Sequence, residues 1–513
     1  MTELTSGESA NSSPVATSHR KAIFIVTALG AFMGSLDLSI VNVAFPALER
    51  AFPHDARASL SWVLTGYAII FGSLLVVAGR TADRLGARRV FFFGLAIFSL
   101  GSLLCAVAPS VPTLIFGRVV QGFGAASLLP ASLSLLLGSY SKEKRSQVVA
   151  LWGGIGALAV ATGPSLGAAL ITAFGWRAAF YVNLPVGLVA WLVGRRVLAV
   201  TPGSGTTSSP DFPGVLLLSG ALAMLVLSIS EGPTWGWSSA RVIVSFVVSA
   251  LLIASFLYRS SRHVEPVLDL QLFRARSFSV ANAAAFLYSM GFFAMLLGNI
   301  LFLTSVWHYS ILDAGLAVTP GPLIVATISG PAGKLAGTFG FRRVLTIGFA
   351  VFTLGLLWYV MRVGLTPDYL AIWLPGTVIV GLGIGLTFPV LSAAAVSSLE
   401  PARYAVGSAV NQTARQIGGA LGVAILVVIL GTPSSDEAAL RNFQHLWWFI
   451  AAMAATAGLI STGLARRKIA TANLASVILD VEEARVREAV LDGELTSEPI
   501  IVTEQTSVDA DTQ

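Results

Sequence analysis

The sequence predicts an all-α, polytopic membrane protein with 14 transmembrane helices. Of its 513 residues, 55% are hydrophobic and 11% are charged, whereas soluble domains carry about 25% charged residues. Apolar runs of about 20 residues recur along the whole chain, and this is the length of helix that crosses the hydrocarbon core of a bilayer. The composition therefore excludes a soluble core and predicts a bundle of spans.

The boundaries of the apolar runs give the predicted spans. They lie at residues 22–44, 59–79, 89–109, 112–137, 147–172, 178–198, 213–231, 241–258, 277–303, 314–336, 344–362, 369–396, 405–431 and 445–465. Residues 1–21 lack the pattern of a signal peptide and are rich in Ser, Thr and Asn, so they are predicted to be a disordered tail. Residues 466–513 hold ten Asp or Glu and are predicted to be an acidic, solvated tail.

The positions of the basic residues predict the orientation. With 14 spans, both termini lie on the same side of the membrane. Of the 32 Lys and Arg residues, 22 lie in segments on that side and 6 in the opposite loops. Because cytoplasmic loops carry the excess of Lys and Arg, both termini are predicted to be cytoplasmic in a protein of the cell membrane. These loops also explain the pI of about 9.6, so nucleic-acid binding is not expected.

An internal repeat divides the chain. The sequence GRTADRLGARRV from Gly79 returns as GKLAGTFGFRRV from Gly333, and GRVVQGFGAASLLP from Gly117 returns as GTVIVGLGIGLTFP from Gly376. Repeated bundles are common in transporters. We therefore predict two six-helix bundles, at 22–200 and 277–465. Residues 201–276 between them hold a flexible linker, two inserted spans and a cytoplasmic connection.

Asp37, in the stretch SLDLSIVNVAFP, is the only acid deep in a predicted span. At 1.5 Å per residue it lies about 24 Å along span 1, and Arg118 lies about 9 Å below the same face in span 4. The two are predicted to meet, directly or through Gln121, in an interior cavity that holds water. The repeat places Gly291 and Thr377 at the equivalent positions of the second half.

Two interpretations of this pair stay open. Burial favours the neutral form of a carboxyl group and a nearby arginine favours its charged form, so a changing environment can load and release a proton. Asp37 would then be a proton-binding group, as intramembrane acids commonly are. Alternatively, Asp37 and Arg118 form a structural ion pair that fixes helix packing.

The motif GRTADRLGARR, residues 79–89, is predicted to gate the cytoplasmic face. Its glycines permit tight turns, and Asp83 can accept hydrogen bonds from Arg88, from Arg89 or from a helix N-terminus. The alternative is an ordinary basic loop. The residues assigned to the gate are Gly79, Asp83, Arg84, Gly86, Arg88 and Arg89.

Small and polar residues mark two further spans. In span 5, Gly156, Gly163 and Gly167 recur at near-helical spacing and allow close helix contact, while Pro164 removes a backbone donor. Simple close packing is the alternative interpretation.

In span 13, NQTARQIGG is the most polar stretch of the second half. We interpret it as the lining of a substrate cavity, with hydrogen bonding between helices as the alternative. The candidate lining residues are Asn42, Gln121, Asn411, Gln412 and Arg415.

The sequence lacks the residues that metal binding, enzymatic catalysis, ATP binding and a disulfide would need. The five histidines are scattered near span ends, so neither a metal site nor a membrane-embedded enzyme is expected. No phosphate loop of the GxxxxGK[ST] type occurs, which argues against ATP as the energy source. With Cys105 as the single cysteine, an intramolecular disulfide is excluded.

The chain resembles the major facilitator superfamily, in particular its fourteen-span drug:proton antiporter branch, over residues 22–465. The resemblance lies in LDLSIVNVAFP of span 1, GRTADRLGARR of the following loop, LIFGRVVQGFGAA of span 4, the span-5 segment GALAVATGPSLGAAL and WRAAFYVNLPVG from Trp176. Four departures are Ser39 in place of the usual Thr, Thr81 in place of an aliphatic residue, Ala168 in place of a glycine, and Gly337 where the second-half loop repeat lacks an acid.

The resemblance implies a proton-coupled antiporter that exports small amphiphilic organic compounds by rocker-switch alternating access. Asp37 and Arg118 would couple protons, the loop from Gly79 would gate, and Gly163 and Pro164 would favour exchange. The expected partners are a small-molecule substrate, protons and the bilayer, with a monomer as the expected state and the proton gradient, not a cofactor, as the energy source.

The alternatives are a proton-coupled symporter or facilitator for a small metabolite, and a receptor or scaffold without flux. With one deep acid and two intramembrane arginines, the cavity is expected to suit neutral, anionic or weakly cationic amphiphiles better than divalent cationic dyes.

Overall fold

The computed structural model describes residues 14–140, 142–199, 211–399 and 403–464, and this part of the chain is helical and has no strand. Thirteen segments in it are long and apolar enough to cross a membrane. The remaining predicted span, 147–172, falls within a helix of 33 residues. The all-α polytopic fold is therefore confirmed. The linker at 201–210 and the acidic tail lie outside the described residues.

The first half contains seven helices. They are α1 (Pro14–Ala51), α2 (Arg57–Leu85), α3 (Ala87–Ala106), α4 (Val111–Gly138), α5 (Lys142–Phe174), α6 (Ala178–Tyr181) and α7 (Asn183–Val197). Helix α1 begins at Pro14, so the predicted disordered tail was wrong for residues 14–21. Proline suits the first helical turn, where its missing N–H has no partner to lose.

The inserted pair and the second half follow. They consist of α8 (Phe212–Trp235), α9 (Ala240–Arg262), α10 (Arg276–Ser305), α11 (Ile311–Val318), α12 (Pro320–Phe339), α13 (Phe341–Arg362), α14 (Leu374–Val396), α15 (Tyr404–Leu430) and α16 (Asp436–Ser461). The predicted span 314–336 is divided between α11 and α12, because the helix is interrupted at Thr319, directly before Pro320.

The internal repeat is visible in the helix contacts. In the first half α3 packs on α4, α2 on α4 and α1 on α5; in the second half α13 packs on α14, α12 on α14 and α10 on α15. The two halves meet mainly along two seams, α2 with α15 and α5 with α11 and α12, and α1 also touches α10. Gly86 and Gly340 join the equivalent helices with φ of 92° and 86°, a conformation that side chains with a Cβ rarely adopt.

The inserted pair covers one seam only. Helix α8 packs on both α2 and α15, and so touches both halves. Its start is fixed by buried Asp211, whose Oδ1 accepts hydrogen bonds from Arg259 Nε at 2.6 Å and from the Gly214 N–H at 3.0 Å. Burial by itself would raise the pKa of Asp211, but these bonds and one from the Val267 N–H outweigh it and lower the pKa below its ordinary value.

Candidate functional site

The centre of the first half is a closed network of polar side chains around Asp37. Arg118 Nη1 donates to Asp37 Oδ2 at 2.6 Å and to Gln121 Oε1 at 2.7 Å, and Gln121 Nε2 donates to Asp37 Oδ1 at 2.7 Å. All three residues are 0% exposed. The predicted contact between Asp37 and Arg118 is confirmed, and it is made both directly and through Gln121.

The rest of the Arg118 side chain is also held. Its Nε donates to the Val63 carbonyl at 2.8 Å, and its guanidinium carbon lies 4.2 Å from the centre of the Tyr67 ring. Helix α2 thus supplies a carbonyl and an aromatic face to a cation on α4. Such multiple contacts offset the large cost of removing an ion pair from water.

Sequence reasoning missed two members of this network. Asn183, the first residue of α7, donates through Nδ2 to Asp37 Oδ1 at 3.3 Å and to Ser102 Oγ at 2.9 Å. The hydroxyl of Ser102, on α3, donates in turn to the Phe180 carbonyl at 2.9 Å. The sequence signal was the polar Asn183 within WRAAFYVNLPVG, a segment used only to identify the family. The network therefore connects α1, α3, α4 and α7.

The expected water-filled cavity around Asp37 is wrong for this conformation. Both carboxylate oxygens accept hydrogen bonds from protein donors, and neither Asp37 nor its partners are exposed. The physical reason is closure of the surrounding bundle, in which Val63, Ile40 and Phe180 are also buried. In this conformation the carboxylate is therefore closed off from solvent.

Helix α5 of the first half lies beside this network and contacts α1 on one side and α11 of the second half on the other. A Cβ on Gly163 would meet Ser39, and one on Gly167 would meet Ile40, so both glycines face α1 at close range. On another side, a Cβ on Gly315 of α11 would meet Ala168 and the Pro164 carbonyl. The close packing that the glycine spacing predicts is confirmed for α1 and α5. Gly156 makes a looser approach to Ser35.

These contacts lie towards one face of the membrane. We call the face where α1 begins and α2 connects to α3 the N-terminal face, and the other the opposite face. Besides α5 with α11, Arg57 at the start of α2 donates through Nη1 to the carbonyl of Gly431, at the end of α15, at 3.5 Å. Both seams are thus in contact towards the opposite face.

The loop motif at the N-terminal face differs from prediction at Asp83. This carboxylate is exposed and has no ion pair in the described part of the chain. Arg88 Nη2 instead donates to the carbonyl of Arg195 at 3.5 Å, near the end of α7. The last carbonyls of a helix lack partners within the helix and attract a cation. Gly86 forms the predicted tight turn, whereas Gly79 faces Pro130 and Arg89 is exposed.

The polar stretch of α15 is used mainly between helices. Asn411 Nδ2 donates to Asn282 Oδ1 on α10 at 3.2 Å, and Thr413 Oγ1 donates to the Gly72 carbonyl on α2 at 2.7 Å. In this conformation Asn411 is buried and bonded to a neighbouring helix, as in the alternative interpretation of hydrogen bonding between helices, and its cavity role stays a prediction. Asn42 likewise donates to the Leu38 carbonyl of its own helix and is buried, whereas Gln412 is half-buried.

Arg415 is a buried cation without a carboxylate partner in the described residues. It is 7% exposed, its Nη1 donates to Ser392 Oγ at 3.1 Å, and its guanidinium carbon lies 3.6 Å from the centre of the Phe388 ring. Among residues 14–140, 142–199, 211–399 and 403–464, Arg415 Nε and the neighbouring Gln416 Nε2 have no hydrogen-bond partner. Unlike the charge of Arg118, the charge of Arg415 is therefore not neutralised by a carboxylate in the described part of the chain.

Comparison with known proteins supplies the family. The family model described as Major Facilitator Superfamily matches residues 27–422 and 281–476. The chain belongs to the major facilitator superfamily. It is 35% identical to the multidrug resistance protein B homolog of Mycobacterium tuberculosis over 79% of this chain and 75% of that protein. It is 30% identical to the tetracenomycin C resistance and export protein of Streptomyces glaucescens over 80% of this chain and 76% of that protein.

A solved structure supports the fold. A bacterial homologue of the human drug peptide transporters PepT1 and PepT2 superposes with a TM-score of 0.60 at 17% identity, over 86% of this chain and 97% of the other. This likeness shows the fold, and the family model together with the curated relatives identifies a multi-pass membrane transporter of the drug-efflux branch of the superfamily.

Proposed function

We propose that this transporter is a proton-coupled antiporter that exports small amphiphilic organic compounds by rocker-switch alternating access. The single observation that carries the proposal is the buried network in which Asp37 is held by Arg118, Gln121 and Asn183. A carboxylate in the membrane interior is costly, and its proton can be exchanged only if the protein opens a path to it.

The proton would act by releasing this network. A proton on Asp37 Oδ2 neutralises the carboxylate and removes the charge that holds the Arg118 guanidinium at 2.6 Å. Arg118 then has to find another partner, and its contacts on α2 and α4 loosen. When the bundle recloses around a deprotonated Asp37, the network forms again. In this cycle the proton is taken up from one side and released to the other as the halves rock.

The seams provide the moving surfaces. The contacts of Pro164 and Ala168 with Gly315, and of Arg57 with Gly431, would break when the opposite face opens. We assign the N-terminal face to the cytoplasm of the cell, because the basic loops lie there. The loop of residues 79–89 would then control the cytoplasmic opening, with Gly86 and Arg88 as its structural anchors.

Arg415 sets the substrate charge that we propose. A buried guanidinium with an unpaired Nε in an aromatic setting favours amphiphiles that bring a negative or partly negative group. Divalent cationic dyes would place two positive charges near this arginine, with only Asp37 as a compensating acid. Robust transport of such a dye by the purified protein would contradict this assignment.

The test uses purified protein in liposomes that contain a pH-sensitive dye and have an acidic lumen. A panel of hydrophobic carboxylates, neutral amphiphiles and weak bases is added outside. Antiport makes the lumen more alkaline, because protons leave as substrate enters. A proton-coupled symporter, the alternative function, makes it more acidic, and transport without a pH change would exclude both.

A further inference from the structure

A cavity of about 340 Å³ lies at the N-terminal face. Its lining comes from Arg80 near the end of α2, from the end of α9, and from the segment that leads to α10. These elements belong to the first half, the inserted pair and the connection that leads into the second half. The cavity therefore lies where three parts of the molecule meet at the surface of the membrane.

The lining carries donors for an anion. Arg80 and Arg274 contribute two guanidinium groups, against one carboxylate, that of Asp269. Asp269 Oδ1 already accepts a hydrogen bond from the backbone N–H of Gln271 at 3.0 Å, which caps the short 3-10 helix Leu270–Arg274. Arg80 Nη1 donates to the Pro266 carbonyl at 2.9 Å, and this bond fixes one wall.

Two further side chains have unused donors. His263 Nδ1 accepts from the backbone N–H of Glu265 at 3.2 Å, so the neutral ring carries its proton on Nε2. Ser260 lines the cavity and is 5% exposed, yet its Oγ has no partner in the described residues. Serines in helices usually donate to the carbonyl four residues earlier, as Ser245 does to Arg241. The hydroxyl of Ser260 is thus left, in the described part of the chain, without a partner beside the cavity.

The surroundings of the cavity are apolar. Val264, which lines it, is 91% exposed, and Leu257 is 43% exposed on the helix face of Ser261, one turn further into the membrane. Free phosphate has no apolar part that could contact these side chains. A phospholipid, in contrast, combines a phosphate at the level of the headgroups with acyl chains that run along an exposed apolar helix.

We propose that this cavity binds the phosphate group of an anionic membrane lipid, with its acyl chains along the exposed surface of α9. Arg274 and Arg80 pair with the phosphate, and the hydroxyl of Ser260 and the Nε2–H of His263 complete the donors. Because the cavity joins α2 to the connection before α10, the bound lipid links the two halves at the N-terminal face.

Native mass spectrometry of the full-length protein with equal amounts of phosphatidylglycerol and phosphatidylcholine tests this site. The wild type is expected to retain phosphatidylglycerol preferentially. Arg274→Gln should reduce that retention about fivefold, the effect of losing one basic contact near a membrane surface. The matched control is Arg276→Gln, an exposed arginine two residues further along that does not line the cavity, and it should retain the lipid like the wild type.

A second variant keeps the test decisive if Arg274→Gln is poorly folded. Ser261→Glu places a negative charge on an exposed lining residue and should likewise reduce the retention of phosphatidylglycerol. Equal loss in Arg276→Gln and Arg274→Gln would overturn the proposal. So would displacement of phosphatidylglycerol by millimolar inorganic phosphate, because a free anion would then be the ligand.

Discussion

Arg118 in the first half and Arg415 in the second half are both buried arginines in membrane-spanning helices, but their surroundings differ. Arg118 has a carboxylate, an amide oxygen and a carbonyl as acceptors within 2.8 Å. Arg415 has one serine hydroxyl and the face of Phe388. One cation is neutralised within the protein, whereas the other keeps its charge available.

The position equivalent to Arg118 in the second half shows how the repeat diverged. Thr377 shares a hydrogen bond of 2.8 Å with Tyr359, whose ring stacks on Trp373 at 4.9 Å. Phe302 stacks on the same indole at 5.5 Å. An aromatic cluster thus fills the space where the first half has its charge network. The comparison shows a buried ion pair at this position in the first half and an aromatic cluster in the second, as the proposed division between proton coupling and substrate charge requires.

The largest predicted effect is the difference in protein stability between a variant of Arg118 and a variant of Arg415. Arg118→Leu leaves Asp37 as an uncompensated buried charge and should destabilise the protein by about 3–5 kcal/mol. Arg415→Leu removes a desolvated cation that has no counterion and should leave stability unchanged or higher. Thermal unfolding of the detergent-solubilised variants at one pH measures both. A similar loss in the two variants would remove the distinction between a paired and an unpaired arginine.

The next effect is on the stability contributed by the ion pair of Asp211 with Arg259 in the inserted pair of helices. Asp211→Asn weakens the contact with Arg259 that fixes the start of α8, and hydrogen bonds to charged groups contribute about 2 kcal/mol. The pKa of Asp211 is lowered in the folded state, so its stabilisation is present above the ordinary aspartate pKa of about 3.9 and is lost as pH falls through the lower folded value. Melting temperatures of wild type and variant should therefore converge in acid. A constant difference down to the lowest pH would be inconsistent with this.

The smallest predicted effect sharpens the substrate assignment. Arg415→Gln should reduce transport of a hydrophobic carboxylate about tenfold, because one charge-assisted hydrogen bond to the substrate is lost. A neutral amphiphile of similar size should be transported as by the wild type. Uptake of both compounds into the same liposomes provides the comparison. Equal losses for the two compounds would mean that Arg415 acts on packing and not on substrate charge.

The sequence predicted the helices and the central ion pair because both follow from one-dimensional rules. Apolar length fixes a span, and the rise per residue placed Asp37 and Arg118 at one depth. Asn183 and Ser102 were missed because single polar residues in a span give no periodic signal, and their partners are far apart in the chain. The bond of Asn411 to Asn282 was not predicted, because Asn282 lies on another helix at a register that the sequence does not reveal.

The central claim is that Asp37 carries the exchanged proton, and one variant pair tests it most directly. Asp37→Asn and Asp211→Asn each remove the charge of a buried aspartate whose oxygen lies 2.6 Å from an arginine nitrogen, but only the first lies in the proposed pathway. Both are placed in liposomes with the pH-sensitive dye and a substrate that the wild type transports. We predict substrate-triggered alkalinisation in wild type and Asp211→Asn, and none in Asp37→Asn. An undiminished response in Asp37→Asn would contradict the claim and leave Asp37 as a structural partner of Arg118.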